Sequence, residues 1–135
     1  MVANPHIAII QARMGSTRFP GKIMADINGK PLLWHIIHRV KKSKFITEIA
    51  IASSDCSQND CLSQFVDSNV HLIRGDEDNV LSRFEKAVTK FKPMTITRIC
   101  GDSPLIDYEF IDRSIEVIQN ERVDYLVTDS IECIH

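Results

Sequence analysis

The stretch HIAIIQARMGSTRFPGK, residues 6–22, decides the fold class. Residues 6–12 are an apolar run without polar alternation, which is typical of a strand buried on both faces of a parallel sheet. Residues 13–30 then contain three glycines and one proline and show no sustained hydrophobic period, so they predict a long loop. A loop of this length inside a small domain is usually functional. We therefore expect a central first strand that delivers a functional loop.

The rest of the chain alternates in the same way. Pro31 stands at a favoured first helical position, and apolar residues recur at helical spacing as far as Val40. Further strands are predicted over residues 46–53, 70–74, 95–100 and 123–128, and helices after a capping segment at 55–60, over 77–91 and over 107–120. The pattern predicts a single α/β domain over residues 1–135, with a doubly wound, mostly parallel sheet. Since such sheets bind ligands at the carboxyl ends of their strands, the loops after Ala12 and Cys100 are the candidate site.

The composition excludes several other classes of protein. With 44% hydrophobic and 25% charged residues and a net charge of −2, the 135 residues lack the signature of a disordered chain. The longest apolar run, residues 7–10, is too short for a membrane span, and residues 1–6 do not begin a signal peptide, so a cytoplasmic location is expected. The four cysteines form no C-x-x-C pair and predict reduced, structural thiols.

The charges are unevenly distributed along the chain. Residues 1–44 carry eight Lys or Arg and a single acid, Asp26, whereas the remainder is acidic. Such asymmetry suggests that the N-terminal third meets an anionic partner. Four of these cations suit the solvated, dipole-complementing end of the first helix. The others lie in or beside the predicted loop: Arg13, Arg18, Lys22 and Lys30.

The loop residues suit a polyphosphate. Arg13 and Arg18 could each grip phosphate oxygens through two parallel hydrogen bonds, and Lys22 could act as a point charge. Gly15 and Ser16 allow the backbone to approach a phosphate and its N–H groups to form an anion-binding nest. A basic surface loop without a ligand is the alternative at this point.

Two common phosphate motifs do not fit this loop. A P-loop needs four residues between its glycines and a hydroxyl residue after the lysine, but five residues separate Gly15 from Gly21, and Ile23 follows Lys22. The dinucleotide fingerprint G-x-G-x-x-G is absent after the first strand, so NAD binding has no motif in its favour.

Three motifs together resemble a known family. IIQARMGSTRFPGK followed by NGKPLL, RGDEDNVLSRF at residues 74–84 and RICGDSPLID at residues 98–107 resemble the sugar-nucleotide cytidylyltransferases. The resemblance is to the spore coat polysaccharide biosynthesis protein F-like branch, with CMP-KDO synthetases and acylneuraminate cytidylyltransferases as more distant relatives. It implies the Rossmann-like topology of nucleotide-diphospho-sugar transferases, a CTP site, Mg²⁺, and transfer of CMP to a sugar or sugar acid with release of pyrophosphate, in cell-surface polysaccharide biosynthesis.

The second loop supplies a candidate metal ligand. Asp102 follows the fourth predicted strand, where Gly101 would allow an unusual backbone angle and Pro104 would stiffen the exit. The resemblance implies that Asp102 holds Mg²⁺ against the nucleotide phosphates. Asp107 is predicted to cap the next helix instead.

These arguments give a set of predicted site residues. The catalytic set is Arg13, Lys22 and Asp102, and the nucleotide-binding set is Gln11, Ala12, Arg13, Gly15, Ser16, Arg18, Lys22, Arg74, Asp78 and Arg98. Arg98 is included because an unpaired charge among the apolar residues of a strand is costly and should reach a partner. For residues 74–83 the resemblance implies a place beside the base or ribose, whereas helix capping and a solvated Arg83 are the alternative.

The resemblance also limits the prediction. Family members generally extend beyond residue 135, and their later portion carries a second metal-binding carboxylate, sugar-binding residues and much of a dimer interface. CTP, a sugar or sugar-acid acceptor and a possible homodimer are therefore the expected partners, and a truncated nucleotide-binding module with little or no transferase activity is the alternative. Nucleic acid is not expected because no aromatic stacking array accompanies the cations, and no membrane partner is expected.

Overall fold

The computed structural model describes residues 4–127. In chain order its strands and helices are β1 (His6–Gln11), β2 (Asp26–Ile27), β3 (Lys30–Pro31), α1 (Leu32–Val40), β4 (Ile46–Ser54), β5 (Val70–Gly75), α2 (Val80–Phe91), β6 (Thr95–Cys100) and α3 (Tyr108–Glu121). Two 3₁₀ segments, Lys22–Met24 and Ser57–Phe65, precede β2 and β5. None of the helices within residues 4–127 is both long and apolar enough to cross a membrane.

The main sheet is parallel and has β1 in an inner position. Its strand order is β5-β4-β1-β6, and β1 pairs along its whole length with β4 on one side and β6 on the other. Strands that are not consecutive in the chain are therefore neighbours in the sheet, as expected for crossover connections. The predicted doubly wound α/β class is confirmed.

The alternation of β1 places its side chains in two separate cores. Ala8 and Ile10 pack with α1 and α3 on one face, whereas Ile7 and Ile9 pack with α2 on the other. All four side chains are fully buried. Burying an isoleucine side chain stabilises the fold by about 1.5–3 kcal/mol. This two-sided burial explains why residues 6–12 show no polar alternation.

Side-chain caps fix where two helices begin. The carboxylate of Asp107 accepts the N–H groups of Glu109 and Phe110, which confirms the predicted cap of α3. α2 begins at Val80 rather than at residue 77, because Asp76 and Asn79 use their side-chain oxygens to form a turn and a cap before the helix. The capping residues therefore shorten the predicted helix by one turn.

The predicted loop at residues 13–30 contains a small hairpin. β2 and β3 pair antiparallel around Asn28 and Gly29, whose φ angles are 51° and 87°. Two adjacent residues with positive φ are the requirement of a tight two-residue hairpin turn, and Asn-Gly is its preferred sequence. The hairpin leads the chain directly into α1.

Two other sequence predictions differ from the structure. The segment after β4 is a 3₁₀ helix whose first position, Cys56, makes no side-chain cap, so the expected capping by residues 55–60 is not observed. Residues 123–127 form no strand, and Thr128 lies outside the described residues. Every residue from 123 to 127 is exposed, and none pairs with a strand of the described chain. An apolar segment without a neighbouring strand to take its backbone hydrogen bonds does not become a strand.

Candidate functional site

A polar pocket lies at the carboxyl ends of β1 and β6, where the fold class predicts a ligand. Its volume is about 300 Å³, at the small end of the range of ligand sites. It is lined by Gln11, Ala12, Arg13, Ser16, Lys22, Ile23, Arg83, Arg98, Cys100, Gly101 and Asp102. The structure thus brings together the two loops that the sequence selects.

Gly101 allows these two loops to meet. Its N–H group donates to the carbonyl oxygen of Gln11 at 2.9 Å, which extends the β1–β6 pairing by one step. A Cβ atom at this position would lie 2.6 Å from that oxygen and 3.3 Å from Cα of Ala12. The sequence argument gave Gly101 an unusual backbone angle, but among the described glycines only Gly21 and Gly29 have positive φ. Gly101 is required for close backbone approach instead.

The first loop folds around the carbonyl oxygen of Met14. The N–H groups of Ser16 and Gly21 both donate to this oxygen, at 3.0 and 2.8 Å. The N–H group of Met14 itself donates to the side chain of Asn59, which is fully buried. The loop is therefore anchored to the core by a polar side chain from the 3₁₀ segment that follows β4.

Several amides of the same loop remain free within the described residues. The N–H groups of Gly15, Thr17 and Arg18 make no hydrogen bond to any other described residue. Unpaired backbone amides beside cationic side chains are the donors that an anion-binding nest requires. The loop has the expected chemistry for phosphate, although Gly15 and Arg18 do not line the pocket itself.

Lys22 and Asp102 face each other across the pocket. Nζ of Lys22 lies 3.6 Å from Oδ2 of Asp102, and both side chains are partly exposed. An exposed pair of this kind contributes about 0–1 kcal/mol to stability. Either partner can therefore exchange the other for a ligand at little cost.

Two further arginines line the pocket. Arg98 donates from Nη2 to Oε1 of Gln11 at 3.0 Å, so it has a neutral partner. Its side chain is exposed on the edge strand β6, however, so the expected cost of burying an unpaired charge does not apply. Arg83 is only 2% exposed, which contradicts the alternative that made it a solvated helix residue. The sequence held a signal for this burial, because Arg83 is three residues after Val80 and four before Ala87 on the apolar stripe of α2.

Two further predicted residues lie away from the pocket. Arg74 braces the segment after β4, donating to Asp60 Oδ1 at 2.6 Å and to the carbonyl oxygen of Cys56 at 2.8 Å. Asp78 is exposed in the turn before α2. The nucleotide contacts assigned to these two residues stay predictions.

The cysteines take no part in a metal site among the described residues. Cys56, Cys61 and Cys100 are free thiols, and Cys133 lies outside the described part of the chain. Between residues 4 and 127 no three His, Cys, Asp or Glu side chains are grouped to hold a metal ion. Asp102 is the single carboxylate in the pocket wall.

Two curated proteins are similar to this chain over most of its length. The chain is 38% identical over 127 residues to the spore coat polysaccharide biosynthesis protein SpsF of Bacillus subtilis, covering 90% of this chain and 53% of that protein. It is 34% identical over 111 residues to a 3-deoxy-manno-octulosonate cytidylyltransferase of Geobacter sulfurreducens, covering 80% and 43%. The chain spans about half the length of the curated relatives it matches.

The fold is also found in a related solved structure. A cytidylyltransferase from Leptospira borgpetersenii superposes with a TM-score of 0.80 at 30% identity, over 87% of this chain and 50% of that one. The sequence profile of the family described as cytidylyltransferase matches residues 7–133, which is nearly the whole chain. The chain therefore belongs to the cytidylyltransferase family.

Proposed function

We propose that this chain binds CTP in the pocket between β1 and β6 and moves CMP from CTP to a sugar or sugar acid, with release of pyrophosphate, in cell-surface polysaccharide biosynthesis. The observation that carries the proposal is the 3.6 Å approach of Lys22 to Asp102. A phosphate-binding cation and a metal-binding carboxylate are the two groups that nucleotidyl transfer requires side by side.

The reaction asks little covalent chemistry of the protein. A hydroxyl oxygen of the acceptor attacks the α-phosphorus in line, the bond to the bridging oxygen of pyrophosphate breaks, and the acceptor proton passes to solvent. Catalysis then rests on holding the reacting groups and neutralising charge on the phosphate oxygens. No nucleophilic side chain is needed, and none is assigned.

The residues of the pocket divide into three roles under this proposal. Arg13 and Lys22 bind the triphosphate as the cations of the first loop, with Ser16 and the free amides beside it. Gln11 and Arg98, already joined by a hydrogen bond, form the wall beside the nucleoside. Asp102 is the metal ligand.

The donor set fits Mg²⁺ bound together with a nucleotide. Mg²⁺ is usually held by one or two carboxylates plus substrate phosphates rather than by a protein cage. A single carboxylate in the pocket wall meets that requirement, since the remaining ligands come from phosphate and water. When bound, Mg²⁺ would neutralise charge on the phosphate oxygens.

Nucleotide binding tests the first half of the proposal. Thermal unfolding is measured with CTP, UTP, ATP and GTP in the presence of Mg²⁺, and a site at hundredfold excess over its dissociation constant should stabilise the protein by about 2.7 kcal/mol. Lys22→Ala should weaken CTP binding roughly tenfold or more, because a hydrogen bond to a charged group is lost. Lys90→Ala, an exposed lysine of α2, is the matched control. Absence of a shift with every nucleotide would refute the proposal, and equal shifts with all four would refute the preference for cytosine.

A nucleotide-binding module without turnover is the second candidate. It is favoured by the single carboxylate of the pocket. Pyrophosphate release with CTP, Mg²⁺ and 3-deoxy-manno-octulosonate or other sugar acids separates the two functions. CTP binding without release of pyrophosphate in every case would favour the module.

The proposal has three further parts: a cytoplasmic location, a single domain over residues 1–135 and assembly as a homodimer.

A further inference from the structure

Arg83 is held in an unusual setting at the start of α2. Its side chain is almost entirely buried, at 2% exposure. Nε and Nη2 donate to the carbonyl oxygen of Asp76 at 3.3 and 2.9 Å, and Nη2 donates also to the carbonyl oxygen of Glu77 at 2.9 Å. Its three hydrogen bonds therefore all end on neutral backbone oxygens.

The guanidinium charge of Arg83 has no anionic partner in the described chain. No carboxylate among residues 4–127 lies within 4 Å of it. A buried charge without a counterion is costly, and removing water from it is justified energetically only when a partner restores the lost interaction. The setting therefore predicts an anion that arrives from outside the described chain.

One nitrogen of the guanidinium has no hydrogen-bond partner among the described residues and retains some exposed surface. Nη1 makes no hydrogen bond with another described residue. Within residues 4–127, the side-chain nitrogen and oxygen atoms that are fully buried and make no hydrogen bond are the hydroxyl oxygens of Thr47 and Ser53. Because Nη1 of Arg83 makes no hydrogen bond to the described chain and is not one of these atoms, it is not fully buried. Since Arg83 lines the pocket, a ligand there can reach this donor.

The strand before α2 is shaped to admit Arg83. β5 ends at Gly75, and a Cβ atom there would lie 3.0 Å from Cγ of Arg83 and 3.1 Å from Oγ of Ser82. The backbone of Gly75 is not in the left-handed region, so the absence of a side chain serves the approach of α2. The place of Arg83 beside the pocket is thus built by the surrounding chain.

We propose that Arg83 is a substrate-binding residue whose guanidinium donates to an anionic oxygen, either a phosphate oxygen of the nucleotide or the carboxylate of the acceptor. The inference rests on the proposed function and adds a residue to its site. Arg13, Lys22 and Arg98 line the same pocket, whose single carboxylate is that of Asp102, so the pocket as a whole favours an anion.

Calorimetric titration of three variants tests this role. Arg83→Gln keeps amide N–H donors for the carbonyl oxygens but loses the positive charge. Arg83→Lys keeps the charge but loses the planar guanidinium group. Arg113→Gln, which changes an exposed arginine of α3, is the control. The probes are CTP with Mg²⁺, pyrophosphate with Mg²⁺, and 3-deoxy-manno-octulosonate. Each titration is run well below the melting temperature of the variant, so that only folded protein is compared.

The expected result is a loss of roughly tenfold or more in affinity for Arg83→Gln and a smaller loss for Arg83→Lys. A phosphate contact weakens CTP and pyrophosphate alike, whereas a carboxylate contact weakens the sugar acid alone. The salt dependence of the affected probe should also become shallower in Arg83→Gln, a change that a purely structural role would not produce.

Two results would overturn the assignment. In the first, the wild-type protein binds the probes and Arg83→Gln binds them with affinities within threefold of wild type. This result would leave the proposed function intact. The other is an equal loss in Arg113→Gln. If Arg83→Gln does not fold, Arg83→Lys decides, and unchanged affinity for all three probes rejects the proposal. A wild-type protein that binds none of the probes would refute the proposed function and this assignment together.

Discussion

The ammonium group of Lys22 lies 3.6 Å from the carboxylate of Asp102, so the two loops of the pocket touch through opposite charges. Both side chains keep contact with solvent, and the pair contributes little to stability. A metal-bound nucleotide offers each partner a replacement, phosphate for the lysine and the metal for the aspartate. The ion pair holds both groups ready for that exchange.

Asp102→Asn should uncouple nucleotide affinity from Mg²⁺. Without divalent metal, CTP should bind the variant as tightly as wild type or more tightly, because a carboxylate beside the phosphates has been neutralised. With Mg²⁺, the gain in affinity seen for wild type should largely disappear. Titrations with EDTA and with Mg²⁺ measure both effects, with Asp124→Asn as the exposed control. The same Mg²⁺ dependence in Asp102→Asn and wild type would exclude Asp102 as the ligand.

Arg13 should matter more to triphosphate binding than Arg18. Both side chains are exposed, but Arg13 lines the pocket and Arg18 does not. Loss of a charge-assisted contact in Arg13→Ala should weaken CTP binding roughly tenfold or more. Arg18→Ala should have a smaller effect in the same titration. The reverse order would contradict the geometry of the loop.

Gly101→Ala should destabilise the fold by about 1–3 kcal/mol, since the new Cβ would press on the backbone oxygen of Gln11 at 2.6 Å. Gly15→Ala is the control, because its nearest neighbour is the free end of the Gln58 side chain, which can move. Urea unfolding of both variants measures the difference. Equal stability of the two would show that β1 and β6 can separate without cost.

His6 should make stability depend on pH. Burial lowers the pKa of His6 below its ordinary value of 6.5. Below that value the unfolded chain binds a proton that the folded chain resists, so stability falls as the pH drops through 6.5 toward the lowered pKa. In His6→Gln this part of the decline should vanish, which urea unfolding at pH 7.5 and 5.5 would detect. Parallel losses in variant and wild type would rule out His6 as the cause.

The sequence predicts those features of the fold that local patterns encode. The unbroken apolar run of β1, the helical stripe of α2 and the cap at Asp107 each follow from neighbouring residues, and the structure has all three. The hairpin at Asn28 and Gly29 is also encoded locally, since Asn-Gly is a strong turn signal. The lack of a hydrophobic period over residues 13–30 nevertheless predicts only a loop there.

Features that depend on distant parts of the chain were predicted less well. Residues 123–127 have the composition of a strand but find no neighbour to pair with in the described chain. The reason for Gly101 is visible only once β1 lies beside it. The sequence does not distinguish a buried from a solvated Arg83, because its burial follows from how α2 approaches β5.

For the candidate site, the sequence predicted chemistry better than position. It selected two loops that meet at the pocket, since strand ends in a parallel sheet meet at one edge. Within the loops it could not separate Arg13, which lines the pocket, from Arg18, which does not. The two residues carry the same charge in one loop, and which of them reaches the pocket depends on the backbone bonds that fold the loop around Met14.

The pairing of β1 with β6 also determines when the binding site is completed during folding. These strands join residues far apart in the chain, as in the contact of His6 with Thr95 across a separation of 89 residues. Contacts of such long range form slowly, because a large loop must close first. During synthesis on the ribosome, the first loop would emerge early, but the part of the pocket formed by β6 and Asp102 would be missing until residue 102 emerges. We therefore expect nucleotide binding to begin only when β6 has paired with β1. A nascent chain that stops before β6 should not bind CTP.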